Sequence, residues 1–124
     1  MDLVTLMKRW AELEPARCNM VSGMYAIRGW AVSFSFDASD RLSQAEIQGA
    51  VQEAIEEQGW TWALSSLTVH GEPTFSAQIT CYSSSDEPPI AYEVQGDKHS
   101  AAMILLQAYL NALSDIHLVP AQVV

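Results

Sequence analysis

Between Leu42 and Asp97 the chain has no lysine and no arginine. A stretch without cations offers nothing to a phosphate backbone, so charge argues against direct nucleic-acid binding. Cysteine is scarce as well. Cys18 and Cys81 stand far apart in unlike contexts, which does not read as a disulfide framework and suits a reducing compartment. No window holds the ~18 uninterrupted apolar residues that suggest a membrane span. The first residues, with Asp2, Lys8, Arg9 and Glu12, carry no apolar run of the signal-peptide kind. The expected location is the cytoplasm, with no membrane partner. Metal-ligand spacing is missing too: His70, His99 and His117 are isolated, and there is no CxxC or HxxxH. The glycines form neither GxGxxG nor GxxxxGK, so no phosphate loop is expected. No cofactor and no metal are expected.

What is present is acid. The stretch 42–97 holds Glu46, Glu53, Glu56, Glu57, Glu72, Asp86, Glu87, Glu93 and Asp97, while the segments on either side are each neutral. The formal net charge of −9 therefore comes from this one block. With 124 residues and a 49% hydrophobic fraction, the chain reads as a single domain with a real core. It is expected to comprise an N-terminal helix over 1–14, an α/β core over 24–119 and a tail over 120–124.

Asp2 can cap a first helix, whose stripe is Leu3, Leu6, Met7, Trp10 and Leu13. Pro15 ends it, and 16–23 reads as a loop. Trp30, Val32, Phe34 and Phe36 alternate with small residues, which predicts one strand over about 25–36, then a turn at 37–40. A second helix runs over 43–58, with Ser43 and Glu46 as a capping box, Ile47, Ala50, Val51, Ala54 and Ile55 as the buried stripe, and Gly59 at C′. A strand over 60–69 changes parity between Trp62/Leu64 and Leu67/Val69, which predicts a bulge near Ser65-Ser66. After a turn at 70–73, the strand 74–82 alternates cleanly, with Phe75, Ala77, Ile79 and Cys81 on one face. Residues 83–89 form a polar loop and 90–94 a short strand. Asp97 or Ser100 caps the last helix, which runs to about 114; its nearly all-apolar circumference predicts a central, covered position. A short edge strand is expected at 116–119. The class is α+β, an antiparallel-rich sheet of three to five strands with helices packed on it, in the order α-β-α-β-β-(β)-α. If the C-terminal segment pairs, 24–119 has a ferredoxin-like order.

Nothing in this order assembles catalytic chemistry. Cys81 has inward parity, where a thiol acts as a small hydrophobe, and it lies far from His70. Cys18 sits beside Arg17, which would lower its pKa slightly, but no base can be assigned to it. Glu56 and Glu57 are adjacent and point about 100° apart on a helix, so they do not converge for acid–base work. Glu53 faces both at helical spacings, which costs a few tenths of a kcal/mol per pair. In the last turn Glu56 and Glu57 oppose the helix dipole at about 0.3–1 kcal/mol each. A solvated face accounts for such acids; a surface for a basic partner accounts for them as well. Trp60 and Tyr82, near strand ends opposite the hairpin turn, are the aromatics expected to be exposed and to anchor such an interface.

From residue 43 to 114 the order is an Ala-rich helix, Gly59-Trp60-Thr61-Trp62, two strands, a short strand ending Tyr92-Glu93-Val94-Gln95-Gly96, and the Ala-rich helix from His99 to Leu110. This resembles the phage α/β/α (ABA) sandwich domain family of small bacteriophage proteins. The N-terminal helix and the strand at 25–36 are not part of that pattern. The resemblance implies a phage or prophage origin and no established enzyme activity. The expected function is then non-enzymatic: an acidic phage-type protein that binds a protein partner with a basic surface through Glu53, Glu56, Glu57, Asp86, Glu87, Trp60 and Tyr82. Inhibition of a host nucleic-acid-binding or defence complex by charge mimicry is the form this suggests. The alternative is a structural assembly subunit, a small virion or tail-completion component, with the last helix and 116–124 as a homo-oligomer seam.

Overall fold

A computed structural model of the chain describes residues 3–21, 24–27, 30–34, 41–82, 88–97 and 101–123. The elements are α1 (Leu3–Leu13), β1 (Cys18–Val21), β2 (Met24–Ile27), β3 (Trp30–Phe34), α2 (Arg41–Glu57), β4 (Thr61–Val69), β5 (Glu72–Cys81), β6 (Ile90–Asp97) and α3 (Ala101–Val123). The class is α+β, as the sequence predicts. Strands β4, β5 and β6 form an antiparallel meander, and α3 packs on β5 and β6 with α1 and α2 beside it. Strands β1, β2 and β3 form a second, separate antiparallel sheet, with β1 against α1.

The core follows the periodicities. From α1 come Leu6, Met7 and Trp10; from α2 come Ile47, Ala50, Val51, Ala54 and Ile55; from β5 come Ala77, Ile79 and Cys81. Helix α3 supplies the largest share, with Ala102, Ile104, Leu105, Leu106, Ala108, Tyr109, Leu110, Ala112 and Leu113 all buried. Each large aliphatic chain contributes about 1.5–3 kcal/mol by leaving water. A helix with so little polar surface is stable only when covered from several sides, and the sheet, α1 and α2 do so. That covering buries most of the stretch from Ala102 to Leu113 and leaves Met103, Gln107 and Asn111 half-buried.

Helix α1 stops where Pro15 requires it: Glu14 N–H still bonds Trp10 O at 2.8 Å, and the Glu14 carbonyl then accepts from Arg17 and Cys18 N–H at 3.0 and 2.9 Å. Helix α2 ends in a Schellman turn. Gly59 N–H bonds Glu56 O at 3.0 Å, Trp60 N–H bonds Ile55 O at 3.2 Å, and Gly59 has φ of 80°. Buried Trp60 and Ile55 are the apolar pair that accompanies this motif. The β4–β5 hairpin closes through His70 and Gly71, with φ of 53° and 80°, both positive as a type I′ turn requires. Pro73 lies inside β5, where the pairing with β6 has already ended at Thr74↔Asp97, so no ladder bond to β6 is missing.

Several expectations are corrected. The loop at 16–23 contains strand β1. The single strand at 25–36 is two, β2 and β3, paired with each other and with an irregularity at Ala26/Ile27; alternation carries no information about reversal, and the sequence signal passed over is Gly29. The turn at 37–40 lies outside the described residues. Strand β4 has no bulge: its register with β5 runs unbroken from Thr61↔Thr80 to Val69↔Glu72. Helix α2 begins at Arg41, so Ser43 lies within its first turn and is not the cap residue. Strand β6 extends to Asp97, which pairs with Thr74 and cannot cap α3; Ser100 lies outside the described residues. Helix α3 continues through 116–123, where a strand and a tail were expected, and this removes the condition for a ferredoxin-like order.

The Schellman turn gives a direct test. No heavy atom lies within 4 Å of a Cβ placed on Gly59, so Gly59→Ala meets only the left-handed backbone cost. Chemical denaturation should show a loss of about 1 kcal/mol with an unchanged m-value.

Candidate functional site

The acids of the block do not gather on one surface. Glu53, Glu56 and Glu57 are exposed on the last turns of α2, in the helical layer. Glu93 pairs with Gln78 on the opposite, solvent-facing side of the sheet and accepts from Gln95 Nε2 at 2.8 Å and Ser76 Oγ at 3.4 Å. Glu72 is exposed beside the hairpin turn and Glu46 is half-buried. Asp86 and Glu87 lie outside the described residues. The candidate surface is therefore the C-terminal end of α2.

Two neighbours hold its carboxylates in place. Trp62, on the helix-facing side of β4 opposite Ile79, donates its indole N–H to Glu56 Oε1 at 3.3 Å. Arg17 donates from Nη2 to Glu57 Oε2 at 2.6 Å. No lysine or arginine lies near these acids in the sequence; Arg17 arrives from forty residues away and places a guanidinium at the helix end, where the dipole favours one. An exposed pair of this kind is worth about 0–1 kcal/mol, so it fixes orientation more than it stabilises the fold.

Arg17 is itself positioned by a half-buried carboxylate. Its Nε lies 3.5 Å from Glu14 Oε1, as an ion pair without hydrogen-bond geometry. Glu14 Oε1 also accepts from Tyr109 Oη at 2.6 Å and Trp10 Nε1 at 3.0 Å, and Oε2 accepts from Gln58 Nε2 at 3.3 Å. Tyr109 sits edge-on between Trp10 and Trp60, at centroid distances of 6.2 and 6.1 Å. Such contacts add about 0.5–1.5 kcal/mol each beyond burial. Burial lowers the Arg17 pKa, but the Glu57 hydrogen bond and the Glu14 charge more than offset it, and the net shift is upward.

Trp60 is 7% exposed, which corrects its assignment as an exposed anchor: as the residue after the C′ glycine it folds back on Ile55 and Tyr109. Tyr82 is 52% exposed, one residue beyond β5 at the end of the sheet where β4 begins, and Ile90 beside Cys81 is 54% exposed. Cys18 is buried in β1, and burial followed by the Glu14 charge pushes its thiol up to about 12. That is opposite to the slight lowering expected from Arg17 and opposite to an activated nucleophile. Burial likewise pushes Cys81 up to about 11. Burial, then the Asp115 hydrogen bond, pushes Tyr92 up to about 12. Among the described residues no cluster of three or more His, Cys, Asp and Glu could hold a metal ion, and no helix is long and apolar enough to cross a membrane.

Tyr109→Phe should cost about 1–3 kcal/mol by withdrawing a donor from Glu14, read as a lower urea midpoint. The raised thiols and phenols set an alkaline limit. Each such group is neutral when folded and ionises more readily when unfolded, so its contribution is intact below its unfolded pKa and is lost as pH rises through the folded value. The thermal midpoint should therefore hold up to about pH 9 and fall from there toward pH 12. No family model, no curated protein and no solved structure matches this chain.

Proposed function

We propose that this chain is a non-enzymatic protein that binds a partner protein with a basic surface through the carboxylates at the end of α2. The observation that carries the reading is the exposure of Glu53, Glu56 and Glu57 on turns that a Schellman cap, Trp62 and Arg17 hold in one geometry. Acids held in this way meet a basic groove with little further ordering, which favours both rate and register of association. Tyr82 at the same end of the sheet supplies an exposed aromatic anchor. The narrower proposal, a phage-type inhibitor that occupies a host nucleic-acid-binding or defence complex by charge mimicry, adds to this the resemblance of residues 43–114 and the −9 net charge.

The double variant Glu53→Gln with Glu56→Gln tests it. Both are exposed, and glutamine keeps an acceptor for Trp62. Immobilised wild-type chain should retain basic nucleic-acid-binding proteins at low salt, release them at high salt, and release them to added DNA. The variant, with an unchanged circular dichroism spectrum, should retain them at least tenfold less. Equal retention by variant and wild type would remove the acidic face from the interaction.

A further inference from the structure

Within the cation-free block, β4 is the one strand of its sheet that carries no charge at all: Thr61 to Val69 reads Thr-Trp-Ala-Leu-Ser-Ser-Leu-Thr-Val. It is also an edge. Among the described residues it pairs on one side only, with β5. The register shows which backbone groups that leaves. The two-residue turn makes Val69↔Glu72 a mutually hydrogen-bonded pair, so alternation assigns the N–H and C=O of the odd positions to β5. Those of Trp62, Leu64, Ser66 and Thr68 point away from the sheet. Natural edges are blunted with charge, proline or a bulge. The opposite edge, β6, follows Pro88-Pro89 and carries Glu93 and Asp97. Strand β4 has none of these devices, and its register with β5 is unbroken.

We infer that β4 is a homodimerisation edge, pairing antiparallel with β4 of a second copy about a two-fold axis at Ser65. A second copy is the occupant because the strand is self-complementary in this register. Trp62 falls opposite Thr68 of its partner and Leu64 opposite Ser66, so each large side chain meets a small polar one, and the outward N–H and C=O groups meet their counterparts. The half-buried Trp62 and Leu64 gain cover on the helix-facing side. A chain of net charge −9 repels its own copies over most of its surface, and a strand without charge is where two can meet. Glu56, which accepts from Trp62, follows that residue, and the two copies of Trp62 stand about 20 Å apart along the strands, since Trp62 and Thr68 are six residues apart at ~3.3 Å each. That is beyond a Debye length of about 8 Å at physiological salt. The β4–β5–β6 sheets of the two copies become one continuous sheet, closing an isologous interface.

Ser65 makes the test specific. It is exposed in the monomer, yet at the axis it faces its own copy as a non-hydrogen-bonded pair, Cα to Cα about 4.5 Å. Sedimentation of the wild type should give twice the chain mass, and Ser65→Lys should give a monomer with unchanged circular dichroism. An equal mixture of Ser65→Lys and Ser65→Glu should recover the doubled mass. Ser65→Cys should cross-link between copies under mild oxidation, while Gln78→Cys, exposed on the central strand, should not. A wild type that sediments as a monomer at all salt concentrations overturns the proposal. So does a dimer that Ser65→Lys leaves intact.

Discussion

One carboxylate organises the junction of all three helices. Glu14 follows α1, faces Tyr109 of α3 and Gln58 at the end of α2, and accepts from Trp10 of its own helix. A half-buried anion without donors would cost several kcal/mol; with three donors and an adjacent guanidinium it becomes a fixed point instead. Because Tyr109 must aim its hydroxyl at Glu14, its ring stands edge-on to Trp10 and Trp60. Because Arg17 must sit beside Glu14, its far nitrogen reaches Glu57. The placement of exposed Glu57 thus descends from an acid that is largely hidden.

Much of this fold was legible in the chain. Period-of-four stripes located α1 and α2, strict alternation assigned the inner face of β5, and the near absence of polar residues placed α3 at the centre. What escaped has physical reasons. Strand β1 is four residues long, too short for alternation to declare itself, and a hairpin read only by parity looks like one long strand. The parity change in β4 predicts a bulge, whereas the register shows the strand simply running on as an edge. At the candidate site the exposed acids of α2 were visible. Arg17 and Glu14 were not, since a pairing across forty positions leaves no periodic trace. Trp60 is the instructive miss: the C′ glycine implies an apolar residue folding back after it, and that signal outweighs its nominal place in a strand.

Charge in this molecule is arranged by subtraction. The cation-free block yields an acidic helix end, an acidic edge at β6 and a neutral edge at β4, all from the same composition. The proposed binding surface uses the first and the inferred dimer seam uses the last, and the two lie on different elements. A dimer would present two acidic helix ends related by symmetry, so a partner with repeated basic sites would be held by both at a raised effective concentration.

The junction at Gly59-Trp60 has a mechanical consequence. A single residue belongs at once to the end of α2, through its bond to Ile55 O, and to the core beneath β4, through Tyr109. No slack separates helix from strand, so α2 cannot swing without dragging β4 and its hairpin along. The acidic helix end and the first residues of the edge strand are thus set by one shared anchor, the Trp60 indole.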